Sequence, residues 1–491
     1  MATVSAAARA VESDRPPNVI LLVADDLGWG DLGSYGAPVI RTPHLDRMAA
    51  EGLRFTSFYV ASPVCSPSRA ALLTGRLPVR TGLYGRRLGV LFPDDPGGMP
   101  AAEITLGEAL ADAGYDTGLI GKWHLGDRPD FLPTRHGFAS WLGLPYSNDM
   151  RWEVGLSFPE VLAASVAGKT EELETDRQRK RRAYFEPRTE YWSVPLLRSR
   201  GRRGGFDDEV VEQPAEQSTL TRRYTEEAVA FLETHRREPF FLVLAYAMPH
   251  VPLFRSPPFA GRSGGGLYGD VVEEIDWSVG RILARLRELE LAERTLVVFT
   301  SDNGPWLALD QHGGSAGPLR DGKGTTFEGG VRVPAIFWWP GTVAPGVTGE
   351  LASTLDLLPT VLRLAGSELP ADRELDGVDL GPLLLGTGSS PRRSLPYYRG
   401  GELYAFRRGA WKVHLVTEGA YGRPPERTEH DPAILYHLGE DPGERFDLAA
   451  LHPEVVAELQ AEARAHRDAI EPAPPLFDRR LRALAGTAPA P

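Results

Sequence analysis

Short unbroken apolar runs alternate with segments whose apolar positions recur at helical spacing along most of this chain. Val19 to Ala24, Phe240 to Ala245 and Leu296 to Thr300 read as strands buried on both faces, and Thr117 to Gly121 is a weaker fourth. Between the strands, Val272, Ile275, Val279, Ile282, Leu286 and Leu289 keep the three-four spacing of a core-facing helix stripe. A second helix is expected from about Thr225 to His235. A third is expected over Leu351 to Leu364, where Pro359 predicts a kink or a break. Strands alternating with helices predict an α/β layered fold.

Each apolar run stops on polar residues: Asp25-Asp26, Lys122 and His124, His250, and Asp302-Asn303. In open α/β sheets ligands collect outside the carboxyl ends of the strands, so four unconnected segments are expected to meet at one edge. Residues 160–220 have weak periodicity and read as a long polar excursion, and its basic run Arg177 to Arg182 reads as a solvated loop. After about Pro391 the runs shorten, as in Leu403 to Arg407 and Trp411 to Val416, and a last helix is expected from Val455. The expected organisation is a flexible N-terminus over 1–16, a main domain over 17–390 that carries the candidate site, a small C-terminal domain over 391–475, and a disordered tail over 476–491.

Composition narrows the class. A chain of 491 residues exceeds what one growing core fills, which fits a large domain with a smaller one. A net charge of -12 argues against nucleic acid as a partner. Arg9 interrupts the N-terminal stretch, and no segment has the length and freedom from charge of a membrane span. The expectation is therefore a cytoplasmic chain with no membrane partner, its oligomeric state left open. With one cysteine there is no internal disulfide.

That cysteine carries the chemistry. Cys65-Ser-Pro-Ser-Arg69 continues as Ala-Ala-Leu-Leu-Thr-Gly-Arg76, which is no apolar-core context for an inert thiol. Pro67 suits a first helical turn, so Cys65 is expected at a helix start, where free backbone N–H groups favour an anion. Adjacent Asp25 and Asp26 repel unless a cation lies nearby, and with Asp302 and Asn303 they form an all-oxygen set for a hard ion. Lys122-Trp-His124 alternates two polar side chains onto one side, and Lys323 sits in Gly322-Lys-Gly-Thr-Thr.

These motifs resemble the sulfatase family from about residue 17 to 450, in its arylsulfatase A and galactosamine-6-sulfatase branch. The resemblance implies an alkaline-phosphatase-like α/β sandwich, with a large mixed sheet flanked by helices and a small C-terminal α+β domain with an antiparallel sheet. It implies that Cys65 is oxidised to formylglycine (3-oxoalanine) by a formylglycine-generating enzyme. One Ca2+, with Mg2+ the alternative, is then held by Asp25, Asp26, Asp302, Asn303 and position 65. Arg69, Lys122, His124, His250 and Lys323 are the implied catalytic residues. Asp302 is the implied base for the nucleophile, His250 with Lys323 the acid for the leaving group, and His124 the base for sulfate release. Ser147 and His414 join Lys122, His250 and Lys323 on the substrate side. The expected reaction is hydrolysis of a small-molecule sulfate ester, aryl sulfates in the assay tube and sulfated sugars or glycolipids in nature. A single-metal phosphonate or phosphate ester hydrolase stays open, as does a non-catalytic anion-binding homologue with Cys65 unconverted. Asp321 stands where disulfide-bonded family members would carry a cysteine.

Overall fold

Asn18–Ala24 is apolar at nearly every position because both its faces are covered. Ile20, Leu22 and Ala24 enter one core, and Val19, Leu21 and Val23 enter the other, as the alternation of a strand requires. The computed structural model describes residues 15–481, so the N-terminal segment expected to be flexible lies almost wholly outside the described residues.

The strand forms the centre of an 11-stranded mixed sheet. Across the sheet the order is Gly346–Thr348, Leu53–Tyr59, Arg332–Trp338, Thr295–Ser301, Asn18–Ala24, Phe240–Ala245, Asp116–Gly121, Ser140–Gly143, Leu196–Arg202 and Gly205–Glu212, with Ala352–Ser353 also paired to Leu53–Tyr59. The four strands foreseen in the sequence are neighbours and run parallel. Helices cover both faces. The predicted stripe lies on Gly266–Glu288, which buries Val272, Ile275, Val279, Ile282 and Leu286. The helix expected from Thr225 begins earlier, at Leu220. Pro359 breaks nothing, because Leu357–Leu364 starts only two residues before it and a first-turn N–H has no intrahelical acceptor to lose.

The segment read as a polar excursion is ordered. It holds the helices Phe158–Val166 and Thr170–Phe185 and the hairpin Leu196–Arg202 with Gly205–Glu212, which extends the main sheet. The basic run therefore lies on a helix, where Lys180 pairs with Asp176 and Arg181 with Asp310.

A 4-stranded antiparallel sheet, Ser394–Arg399, Glu402–Arg408, Trp411–Thr417 and Thr428–His437, builds the small domain. Pro453–Ala469 packs on it through Val456, Leu459 and Ala463. The first residues assigned to a disordered tail are docked: Phe477 is wholly buried in the main core, and Asp478 accepts backbone N–H groups of Arg86 and Arg87. An apolar anchor with a bound carboxylate outweighs the Ala/Pro-rich composition that follows. Among the described residues no helix is long and apolar enough to cross a membrane.

Candidate functional site

Four parallel strands deliver their carboxyl ends to one edge. Asp25 and Asp26 leave Asn18–Ala24, Lys122 and His124 leave Asp116–Gly121, His250 follows Phe240–Ala245, and Asp302 and Asn303 follow Thr295–Ser301. Gly121 closes its strand at a φ of 106°, and a Cβ there would lie 1.8 Å from the Ala245 carbonyl oxygen. Only glycine permits that approach beside Lys122. Asp26 and His124 hold left-handed backbone, with φ of 63° and 61°. Such strain in non-glycine residues gathers at functional sites.

Cys65 is the first residue of the helix Cys65–Thr74, after an extended Val64. Gly75 ends the helix in the left-handed region, its N–H donating to the Ala71 carbonyl. The helix start leaves backbone N–H groups without intrahelical partners beside the thiol. One turn in, Arg69 donates from Nε to Asp302 Oδ2 at 2.8 Å and from Nη1 to the Lys122 carbonyl at 2.8 Å. Lys323 Nζ lies 3.4 Å from Cys65 Sγ and 2.7 Å from Asp26 Oδ1. Lys122 Nζ donates to Asp25 Oδ2 at 2.5 Å and to Ser147 Oγ at 3.1 Å. Ser147 Oγ is 3.3 Å from His250 Nε2, which is 3.5 Å from Asp26 Oδ2. Asp25, Asp26, Cys65, Arg69, Lys122, Ser147, His250, Asp302, Asn303 and Lys323 thus form one connected, buried cluster.

Charge is concentrated there. At Asp25 burial works against the ionised form, but Lys122, His250, Arg69 and Lys323 override it and hold the carboxylate far below its ordinary value. Burial pushes Asp26 up to about 7 against the pull of Lys323, and the charges of Asp25 and Asp302 add to the rise. Burial also pushes the Cys65 thiol up to about 12, although Lys122 and Lys323 oppose it. His250 is driven well below the ordinary imidazole value by burial and by Lys323. The acids fit a hard cation: Asp25 Oδ1 and Asn303 Oδ1 are buried with no hydrogen-bond partner. Donor atoms of Asp25, Asp26, Cys65 and His250 lie within 4.8 Å of one another. Asp302 is turned toward Arg69 and the Asp26 N–H.

His124 is wholly buried, with Nε2 2.9 Å from the Leu91 carbonyl oxygen. A carbonyl only accepts, so Nε2 carries the hydrogen and Nδ1, which has no partner, keeps the lone pair. His414 is not on the substrate side. It is wholly buried in an ion cluster that joins the two domains, with Nε2 2.6 Å from Glu444 Oε1. In that cluster Lys412 Nζ reaches Glu328 Oε1 and Glu444 Oε1 at 3.0 Å each, and the Glu328 N–H donates to Glu444 Oε2 at 2.6 Å. The misreading arose because alternation along Trp411–Thr417 shows which residues share a face, not what covers that face.

Three further residues complete the surroundings. Asn148 Oδ1 lies 3.1 Å from His250 Nδ1. Trp306 packs on His250, with Lys323 Nζ 4.7 Å from the Trp306 ring centre, and Tyr421 of the small domain packs against Trp306 with its ring tilted by 49° and the centres 4.9 Å apart. Asn148 adjoins Ser147 and Trp306 lies close after Asn303, so nearness to a motif was the available signal. Nothing local marks Tyr421. Beyond Tyr421 a groove of about 1220 Å³ opens between the 84–92 segment and the small sheet. It reaches Val64 and Gly324, the neighbours of Cys65 and Lys323.

Comparison with known proteins agrees with this geometry. The Sulfatase family model matches residues 17–367, and the model for the C-terminal region of aryl-sulfatase matches 390–487. Arylsulfatase A of Bos taurus is 46% identical over 469 residues, covering 91% of this chain and 86% of that protein. N-acetylgalactosamine-6-sulfatase of Homo sapiens is 41% identical over 496 residues, covering 94% and 87%. Among solved structures, the PsFucS1 sulfatase from Pseudoalteromonas sp. superposes with a TM-score of 0.77 at 32% identity, covering 92% of this chain and 90% of that one.

Proposed function

The chain belongs to the sulfatase family and hydrolyses sulfuric esters, and from that premise we propose how this site does so. The observation that carries the reading is the meeting of Cys65 Sγ and Lys323 Nζ at 3.4 Å, at a helix start and beside two buried aspartates. Converted to formylglycine by a formylglycine-generating enzyme, position 65 supplies a hydrated aldehyde, one hydroxyl of which attacks sulfur while the other later releases sulfate. Asp25, Asp26, Asp302, Asn303 and position 65 would hold one hard cation, calcium with magnesium the alternative, which supplies Lewis-acid polarisation of the sulfate oxygens.

The chain's own residues supply the rest. Lys122 and Lys323 offset charge on the sulfate oxygens, helped by the N–H groups of the Cys65 helix. Arg69 orients Asp302, which accepts the proton of the attacking hydroxyl. His250 donates Nδ1–H to the Val251 carbonyl at 2.6 Å, so its Nε2 faces the site. Nε2 takes up a proton as the anionic sulfate enters beside it, and that imidazolium proton passes, with help from Lys323, to the departing oxygen. Ser147 bridges Lys122 and His250 and fixes both. His124 Nδ1, with its unshared pair, takes the proton when sulfate is released. Aryl sulfates are the assay substrates and sulfated sugars or glycolipids the natural class.

The test compares kcat/KM for nitrophenyl sulfate with that for matched nitrophenyl phosphate and phosphonate on fully converted protein. Sulfate is expected to be cleaved far faster, and a phosphonate preference overturns the assignment. A folded protein whose 55–69 peptide keeps an unmodified thiol, and which binds sulfate esters without cleaving them, is the non-catalytic alternative.

A further inference from the structure

We propose that the groove beyond Cys65 is a second anion subsite, in which Arg86 and Arg87 hold a sulfate or carboxylate on the organic part of the substrate. Glycans carrying a second negative group are therefore favoured over singly charged ones. The inference rests on the sulfatase reading above and names its substrate class.

The first observation is size. The groove measures about 1220 Å³ and runs outward from the neighbours of Cys65 and Lys323. Pockets for a single drug-sized group span roughly 300–1,000 Å³, so an aryl group leaves much of this one unfilled. The second is unspent positive charge in a chain of net charge -12. Arg399 and Arg427 line the groove too, but each is matched: Arg399 by Glu418 at 3.3 Å, and Arg427 by Glu402 at 2.9 Å and Glu429 at 2.8 Å. The side chains of Arg86 and Arg87 are exposed and form no ion pair among the described residues. The lining acid Asp431 likewise has none and leaves the balance positive.

The third observation is that the loop presenting them is braced. The N–H groups of Arg86, Arg87 and Leu88 donate to Asp478 at 2.9, 3.2 and 3.4 Å. Asp478 thus spends its oxygens on the backbone and leaves the guanidinium groups for a ligand. A guanidinium fork matches sulfate and carboxylate geometry. At the inner end, Tyr421, packed at a tilt against Trp306, offers an aromatic face for the sugar that bears the scissile ester.

The test uses two synthetic disaccharides with the same scissile sulfate ester, one with a free hydroxyl on the adjoining sugar and one with a second sulfate there. For converted protein, kcat/KM is expected to be about tenfold higher for the disulfated compound, the size of one or two charged hydrogen bonds. The double variant Arg86→Ala, Arg87→Ala is expected to bring that ratio close to one. Calorimetry with the Cys65→Ala chain reads binding without turnover, and the same ratio should appear in Kd and shrink as salt rises. Equal rates on the two disaccharides, or a ratio that survives the double variant, overturns the subsite. Nitrophenyl sulfate turnover by the unsubstituted protein tests the sulfatase reading separately, so its loss would strike that premise and not the subsite alone.

Discussion

Position 65 is 2% exposed and its thiol is pushed up to about 12, so an unconverted cysteine there is a protonated, sealed side chain. Cys65→Ala is expected to lower sulfate release by about 10³-fold or more, as loss of a nucleophile does, while the circular dichroism spectrum stays unchanged. Cys65→Ser should also be poor, because a serine sulfate has no geminal hydroxyl with which to expel sulfate. Quantitative sulfate release by either variant would remove position 65 from the chemistry. At this scale much of the site was legible, since Cys65, Arg69, Lys122 and the acidic pairs stand in motifs whose spacing survives any loop length. His414 and Tyr421 were not, because their roles depend on which distant segment packs over them. For His414 that segment is the turn carrying Glu444, and for Tyr421 it is the loop carrying Trp306.

At the scale of elements, strands buried on both faces announce themselves as continuous apolar runs, and the four that build the site were readable within a residue or two. Thr170–Phe185 was not, since only Asp176 and Ala183 are buried along it and an exposed helix writes no apolar stripe. The hairpin Leu196–Glu212 was hidden for a related reason: its outer strand, Gly205–Glu212, is exposed along most of its length and shows no alternation. The ion cluster between the domains makes a prediction at this level. Lys412 and His414 overcome burial and pull Glu444 from its ordinary 4.5 down to about 2. A depressed carboxylate stabilises the fold fully above its unfolded value and loses that contribution as pH falls through the folded one. Melting temperature should therefore drop between pH 4.5 and 2, and Glu444→Gln should flatten that part of the curve while lowering stability at pH 7. An unchanged acid limb in the variant would show that Glu444 does not govern it.

For the whole molecule, the large sheet sets the reaction centre and the small domain sets the groove beside it, so the groove opens beside that centre at the seam between the domains. Adding calcium to chelator-stripped protein should raise the melting temperature by roughly 5 °C at saturating ion and restore sulfate release, because ligands that bind only the folded state stabilise it. Stoichiometric zinc with no alkaline-earth ion in active protein would contradict the all-oxygen assignment. The Cys65–Thr74 helix, buried at all ten of its positions, also imposes a chronology. Under the proposed conversion, no oxidising enzyme can close around a side chain buried in that way, so maturation is expected before the final collapse of the chain. A protein folded first with its thiol intact would then be locked out of conversion, and only a nascent or deliberately unfolded chain should gain the aldehyde mass when the converting enzyme is supplied.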